Sequence, residues 1–274
     1  MSHVIAVANQ KGGVGKTTTA VNLGASLAAA EKRTLVIDMD PQGNASSGLG
    51  VDGRNQRASL FGVLLDYHPL GHAIVRSVHL PMLDVVPTTI DLVGAEAGLV
   101  SHPTRDRQLR RALDGVREMY DYILLDCPPE LGLLSLNALV ASDSVLIPLQ
   151  PEYFALDGLS RFTETVDVIQ KHSNPGLEIE GVLLTMYDGR LTLAREVEAE
   201  AKKFFGGRVF STHIPRNVRL AEAPSFGMPA LMYDLASPGA QAYLALASEL
   251  ISRVDSPDGQ RLARGRPRAA GVGG

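Results

Sequence analysis

The clearest chemical pattern in this 274-residue sequence is the run NQKGGVGKTTT at residues 9–19, which follows the apolar stretch HVIAVA. Glycines let a backbone approach an anion and point its N–H groups at it, and the start of a helix favours negative charge. The lysine and threonine that follow such glycines bind nucleotide phosphates and Mg²⁺. We therefore predict that Lys16 contacts the β- and γ-phosphates of ATP and that the Thr17 hydroxyl contacts Mg²⁺.

The loop departs from the usual phosphate-loop pattern at one position. That pattern requires a glycine, four further residues and then Gly-Lys-Ser/Thr, whereas this sequence has Gln10 in the first position. The loop also carries a second lysine, Lys11, whose simplest interpretation is a solvated surface residue. The predicted ATP-binding residues of the loop are Lys11, Gly12, Gly13, Val14, Gly15, Lys16, Thr17 and Thr18.

Three aspartates follow other apolar runs. TLVIDMD ends in Asp38 and Asp40 and is broken at once by Pro41, and YILLDCP places Asp126 at the end of another run. Because ligands of α/β sheets bind at the carboxyl ends of the strands, we expect these carboxylates near the phosphate loop. Asp126 fits the aspartate that holds Mg²⁺ directly or through water. A turn or a helix cap is the structural alternative.

The elements that must position these residues alternate along the chain. Near-continuous apolar runs predict strands covered on both faces, at 4–8, 34–40, 83–88, 122–128, 144–150, 179–186 and 208–215. Helices are predicted at 17–30, 105–119, 133–141, 158–172, 193–205 and 238–254. This alternation indicates an α/β fold with a doubly wound, mostly parallel sheet. We predict one P-loop NTPase domain over residues 1–254.

Composition excludes several classes of protein. A formal net charge of -4 and 45% hydrophobic residues favour a large core and confine any DNA binding to a local patch. The single Cys127 excludes an internal disulfide or a multi-cysteine metal site within one chain and fits a reducing compartment. The sequence contains no apolar stretch of about 18 residues. Residues 255–274, rich in Gly, Pro and Arg, predict a disordered tail.

The variant loop KGGVGKTT resembles that of the deviant Walker A ATPases, a family that includes the ParA/Soj partition proteins, MinD and the nitrogenase iron protein. Further segments resemble the chromosomal ParA/Soj branch, and the resemblance covers residues 5 to about 250. These segments are DPQGNASSGLG, DCPPELGLLSLNAL, EYFALDGL, TMYDGR and IPRNVRLAEAPSFGMP. Glu130 departs from the family pattern, because many relatives have a small residue there.

The resemblance implies roles for individual residues. Lys11 would cross an ATP-bound sandwich homodimer and contact the phosphates held by the other subunit. Asp40 would position or activate the attacking water. Asp38 would lie near the Mg²⁺ site and contact the ion partly through water. Base recognition around Met186 and Pro215 is a further implication. The expected cofactors are ATP and Mg²⁺.

The resemblance also implies that the ATP-bound dimer binds double-stranded DNA non-specifically, through Arg190 and Arg219. Arg216 is interpreted as structural or nucleotide-adjacent. A ParB/Spo0J-like DNA-binding partner would stimulate slow hydrolysis, and the protein would segregate chromosome origins or plasmids in the cytoplasm, at the nucleoid. The tail arginines either strengthen DNA attachment or are merely solvated. They are Arg261, Arg264, Arg266 and Arg268.

Two other functions remain open from the sequence. One is a nucleotide-gated regulator of replication or transcription for which catalysis hardly matters. The other is a MinD-like positioning ATPase at a membrane. The tail argues against the second, because Leu262 and Val272 are its only large apolar residues and cannot form an amphipathic anchor. We therefore expect no membrane partner.

Overall fold

The computed structural model describes residues 2–56 and 58–255. Within these residues, one sheet contains six strands in the order β3-β2-β4-β1-β5-β6, and every neighbouring pair is parallel. The strands are β1 (His3–Val7), β2 (Thr34–Asp38), β3 (Leu83–Val86), β4 (Tyr122–Asp126), β5 (Ser144–Leu149) and β6 (Glu178–Leu184). All but β6 are buried along their whole length. The predicted doubly wound α/β fold is confirmed.

Helices cover both faces of this sheet. One face packs against α1 (Lys16–Ala29) and α11 (Pro238–Asp255), together with the short α2 (Asn44–Gly48), α9 (Val218–Glu222) and α10 (Ala230–Tyr233). The other face packs against α3 (Leu60–Leu64), α4 (Leu92–Val100), α5 (Gln108–Asp114), α6 (Leu133–Ala141), α7 (Ala155–His172) and α8 (Thr192–Phe205). Short 3₁₀ turns occur at Gly53–Asn55, Leu70–Ala73, Arg117–Met119, Gly206–Arg208 and Ala223–Phe226.

The predicted strand at 208–215 is wrong. Only isolated bridges connect this segment to the end of the sheet, from Val209 to Val182 and from Pro215 to Tyr187. Between them, the backbone N–H groups of Ser211 and Thr212 donate to the Glu249 carboxylate of α11, at 2.8 and 2.9 Å. Because a side chain takes these two donors, the segment does not continue as a strand beside β6.

The predicted helix at 105–119 is also wrong in extent. Its regular part is α5, which ends before Gly115, and Arg117–Met119 forms a separate 3₁₀ turn. The short helices α2, α3, α4, α9 and α10 had no counterpart in the sequence prediction. The single domain over residues 1–254 stays a prediction. The predicted tail at 255–274 lies outside the described residues, with its arginines, except for Asp255, which ends α11.

Helix α1 lies unusually close to the sheet at Gly24. A Cβ added at this glycine would approach Cγ2 of Val36 on β2 to 2.6 Å and Cδ1 of Leu124 on β4 to 3.5 Å. On its other side, α1 is bonded to α11 through the Thr19 and Tyr243 hydroxyls, 3.1 Å apart. The helix that follows the phosphate loop is therefore held on both sides.

Candidate nucleotide-binding site

The phosphate loop joins the end of β1 to the start of α1. Gly13 and Gly15 have φ angles of 74° and 86°, in the left-handed region that favours glycine. A Cβ at Gly12 or Gly13 would meet nothing within 4 Å, so the space in front of the loop is open. The Thr185 hydroxyl donates to the Val14 carbonyl at 2.8 Å and fastens the loop to the end of β6. The backbone is thus shaped to receive an anion.

Lys16 begins α1 and is largely buried. Its ammonium group donates to the Lys11 carbonyl at 3.0 Å, which holds it across the loop. Burial lowers the pKa of Lys16, while the charges of Asp126 and Asp40 act in the opposite direction. A cation that has lost much of its hydration is a strong partner for a phosphate oxygen.

Lys11 has an ion-pair partner in its own chain. Its ammonium group binds the Glu152 carboxylate, and both side chains are partly exposed, at 37% and 46%. Glu152 follows the end of β5 and precedes Tyr153 and Phe154, whose side chains are largely exposed. In a single chain, Lys11 is therefore turned toward β5 rather than free in solvent.

Asp126 and Asp38 are direct neighbours across β4 and β2, and Val7 pairs with Asp126 from β1. Asp126 is fully buried, and neither of its carboxylate oxygens accepts a hydrogen bond of standard geometry from the described residues. Burial, followed by the charge of Asp38, raises the pKa of Asp126 well above its usual range, although the nearby Thr17 hydroxyl favours the ionised form. A buried carboxylate without a hydrogen-bond partner is a candidate ligand for a cation.

The Asp38 carboxylate, in contrast, is fully used within the protein. One oxygen accepts from the Ser46 backbone N–H at 2.8 Å and from the Ser46 hydroxyl at 2.6 Å. The other accepts from the Asp40 N–H at 3.2 Å. Burial is the main reason why the pKa of Asp38 rises to about 6. Asp38 thus shapes the segment that carries Asp40.

Asp40 lies in the turn after β2 and is nearly buried. Its Oδ1 accepts from the Gln42 N–H at 3.0 Å, and its carbonyl accepts from the Gly43 N–H at 2.9 Å. The charge of Asp40 acts to raise the pKa of both Lys16 and Asp126, so the turn faces the phosphate loop. No hydrogen bond from the described residues reaches the other carboxylate oxygen of Asp40.

The predicted base-binding residues meet where β6 ends. Met186 has a φ of 49°, a conformation that few non-glycine residues adopt. The Tyr187 N–H donates to the Ile214 carbonyl at 3.0 Å, and Tyr187 and Pro215 form a parallel bridge. The structure therefore brings Met186 and Pro215 together on adjacent segments. They lie next to Thr185, whose hydroxyl is bonded to the phosphate loop.

The predicted DNA contacts are exposed but compensated by carboxylates. Arg190 forms a two-point ion pair with Asp188, with nitrogen–oxygen distances of 2.9 and 2.7 Å. Arg219 lies 2.8 Å from Glu222 and 3.2 Å from Asp234. Both arginines follow the region where β6 ends, on neighbouring segments.

The sequence prediction missed three residues that complete the site. They are Ser46, which holds Asp38, Thr185, which fastens the loop, and Glu152, which binds Lys11. The ends of apolar runs offered a signal for two of them, because Thr185 lies near the end of the predicted strand 179–186 and Glu152 follows the predicted strand 144–150. Ser46 offered none, since it lies in a helix of five residues.

Comparison with known proteins identifies the family of this chain. Residues 2–179 match the AAA domain family. A chromosome partitioning protein ParA of Myxococcus xanthus is 52% identical over 95% of this chain and 92% of its own length. The sporulation initiation inhibitor protein Soj of Bacillus subtilis is 54% identical over 91% and 98%. The chain belongs to the ParA/Soj family. The resemblance stated from the sequence motifs is confirmed.

Solved structures agree with the ParA/Soj assignment. A protein from Mycobacterium smegmatis, described as cobyrinic acid a,c-diamide synthase with bound ADP and magnesium, has a TM-score of 0.81 and 37% identity, and the match covers 93% of this chain and 96% of that one. The same protein has also been solved with an ATP analogue and magnesium. A fold of the ParA/MinD type thus holds adenine nucleotides with magnesium in a close structural neighbour.

The residues of this ParA/Soj chain fit a magnesium ion shared with a nucleotide. Within residues 2–56 and 58–255, no cluster of three His, Cys, Asp or Glu side chains could hold a metal by itself. Mg²⁺ in nucleotide sites needs only one or two protein oxygens, because phosphates and waters supply the rest. The unpaired Asp126 oxygens and the Thr17 hydroxyl match this requirement.

None of the helices within residues 2–56 and 58–255 combines the length and the apolar character needed to cross a bilayer.

Proposed function

We propose that this chain is an ATP-dependent DNA-partitioning switch, a slow ATPase whose nucleotide state controls dimerisation and DNA binding. The observation that carries the proposal is the buried, unpaired Asp126 carboxylate beside the buried Lys16 and an open glycine loop. Together these groups accept a phosphate chain and its magnesium. The backbone of residues 12–18 would bind the phosphates, and Met186 and Pro215 would contact the base.

Hydrolysis would depend on Asp40 and on a second subunit. Asp40 would orient the attacking water. Asp38 would hold the turn that carries Asp40, and it would contact the magnesium ion partly through water. Bound Mg²⁺ would neutralise charge that develops on the phosphates. Lys11 would leave Glu152 and reach the nucleotide of the other subunit, adding a cation only when two chains meet. Charge-supplying residues of this kind contribute about 10³ to 10⁵ in rate.

The dimer would then bind duplex DNA without sequence preference, through phosphate contacts that include Arg190 and Arg219. A ParB/Spo0J-like partner would stimulate hydrolysis and return the protein to monomers. This cycle, at the nucleoid, would segregate chromosome origins or plasmids. Support comes from the names of the relatives, which include chromosome partitioning proteins.

Binding to a random-sequence duplex at several salt concentrations tests this proposal. The comparison uses ATP, ADP and no nucleotide, with Asp40→Ala to prevent turnover. We expect tight, salt-sensitive binding only with ATP, lost in Lys16→Ala and weakened in Arg219→Glu. An absence of DNA binding in every nucleotide state, with dimerisation intact, would contradict the DNA assignment.

A further inference from the structure

The segments that carry Arg190 and Arg219 also carry two arginines of a different electrostatic character. Arg195 lies in the first turn of α8, and Arg216 follows the Pro215 bridge to Tyr187. Both are exposed, and neither forms an ion pair with a residue in the described part of the chain. Their positive charge is not offset by a bound carboxylate.

Arg190 and Arg219 differ in this respect. The Arg190 guanidinium lowers the pKa of Asp188 to about 2, so this carboxylate stays ionised and paired at neutral pH. Arg219 is shared between Glu222 and Asp234, and its guanidinium lies 5.9 Å from the centre of the Tyr233 ring. A DNA phosphate must compete with these carboxylates, although each exposed pair is weak.

Arg195 is held in place by neutral groups. Its guanidinium donates to the Gly189 carbonyl at 2.7 Å, to the Arg190 carbonyl at 3.2 Å and to the Thr192 hydroxyl at 3.2 Å. These acceptors orient the side chain and leave its formal charge intact. Arg195 therefore also fixes the loop from which Arg190 projects.

The two segments meet next to the predicted base contacts. Tyr187, which precedes Asp188, donates its backbone N–H to Ile214, which precedes Pro215 and Arg216. The Tyr187 hydroxyl binds Glu198 of α8, the helix that also carries Arg195. The cations are thus mounted on a framework continuous with the nucleotide site.

We propose that Arg195 and Arg216 are additional contacts to the phosphates of duplex DNA, and that Asp188 limits the contribution of Arg190. This inference rests on the proposed DNA-binding function. Unpaired arginines gain a phosphate partner without first losing a carboxylate, and they release counterions from DNA on binding. Arg216, interpreted from the sequence as structural or nucleotide-adjacent, receives a binding role instead.

The test measures affinity for a short random-sequence duplex by fluorescence anisotropy, with ATP and Mg²⁺, in the Asp40→Ala background. We expect Arg195→Gln and Arg216→Gln each to weaken binding by about threefold to tenfold and to reduce the salt slope by about one per protomer. The matched control is Arg208→Gln, since Arg208 is also exposed and has no ion pair within the described residues. It should change affinity less than about twofold.

Two further variants separate charge from loop structure. Arg195→Lys keeps the cation and should keep the salt slope, whereas a purely structural role would make it resemble Arg195→Gln. Asp188→Asn keeps an oxygen acceptor for the Arg190 N–H, bonded at 3.0 Å, but removes the competing charge. We expect it to strengthen DNA binding by about twofold to fivefold.

The inference and the proposed function fail in different ways. Binding by the parent protein with unchanged affinity in Arg195→Gln and Arg216→Gln would overturn the inference alone. So would a loss of ATP binding in Arg216→Gln, because that residue would then belong to the nucleotide site. Failure of the parent to bind DNA with ATP, or binding only to anionic phospholipid vesicles, would overturn both.

Discussion

Asp126, at the carboxyl end of the parallel sheet, differs in its hydrogen bonding from the buried carboxylates at the amino end. At the amino end, Asp143 accepts from the Val4 N–H at 2.9 Å and from the Arg117 guanidinium. Asp84 accepts from the Tyr120 hydroxyl at 2.7 Å and from the Ser77 N–H at 2.8 Å. At the carboxyl end, Asp126 has no such partner within the described residues.

An ionised carboxylate that is buried without a partner costs several kcal/mol of desolvation, which is why the pKa of Asp126 rises, and a bound cation would offset that cost. Asp143 and Asp84 therefore contribute to stability, whereas we expect Asp126 to contribute to binding. The distinction comes from the hydrogen-bond partners, because both ends contain similar residue types.

The largest effect is expected from Lys16→Ala at the carboxyl end. Removing a buried cation from the phosphates should lower ATP hydrolysis by about 10² to 10³ or more. Steady-state phosphate release measures this loss. The control is Lys171→Ala, at the exposed end of α7, which should hydrolyse ATP like the parent. Comparable rates in Lys16→Ala and the parent would refute the phosphate role.

A pair of aspartate-to-asparagine variants tests the contrast between the two ends. Asp126→Asn should reduce hydrolysis by about 10²-fold without lowering the free energy of unfolding, since Asp126 accepts no hydrogen bond of standard geometry from the described residues. Asp143→Asn should lower that free energy by about 1 to 2 kcal/mol, because Arg117 loses its counter-charge, and should leave hydrolysis intact. Urea denaturation and phosphate release on both variants would reveal any exchange of these effects.

The dependence of stability on pH should sharpen the comparison. Burial raises the pKa of Asp38 to about 6 and shifts that of Asp126 in the same direction. An unfolded aspartate has a pKa of about 3.9, so the folded protein keeps protons that the unfolded chain releases. Stability from these groups is therefore full below about pH 4, and the part that comes from Asp38 is lost as pH rises through about 6.

Nucleotide-free protein in EDTA should consequently gain about 1 kcal/mol from Asp38 between pH 7 and pH 5, with a further gain from Asp126. The gain should be smaller in Asp126→Asn, which has one fewer such carboxylate. Urea denaturation of both proteins at each pH isolates the difference. Equal pH dependence in the two proteins would show that Asp126 does not titrate as its burial requires.

The smallest effect is expected from Tyr120→Phe at the amino end. This change removes one buried hydrogen bond to Asp84 and should lower the free energy of unfolding by about 1 kcal/mol. Hydrolysis should not change, because the carboxyl end is untouched. A marked loss of hydrolysis would mean that the two ends are coupled more strongly than their separation suggests.

Much of the site could be predicted because it depends on local patterns. The GKT sequence specifies a loop before a helix, and parallel register then places Asp38 and Asp126 side by side. The partners of these residues could not be predicted in this way. Glu152 is 141 residues from Lys11, and Ser46 lies in a helix too short to show a period.

The same limit explains why the predicted strand at 208–215 does not form. The apolar run at 208–215 has the composition of a strand, but Glu249 of α11 takes two of its N–H groups. A side chain that reaches a distant backbone leaves no trace in the local sequence. The predicted roles of Lys11, Asp40, Arg190 and Arg219 depend on other molecules and await the experiments above.

The close approach at Gly24 determines how accurately the phosphate loop is positioned on the sheet. The contact with Val36 lies about two helical turns beyond Lys16, yet it fixes how deeply α1 sits on the sheet. Even one methyl group there would lift the helix and carry the Lys16 ammonium away from Asp126. The geometry of the anion site therefore depends on Gly24, a residue that does not contact the nucleotide.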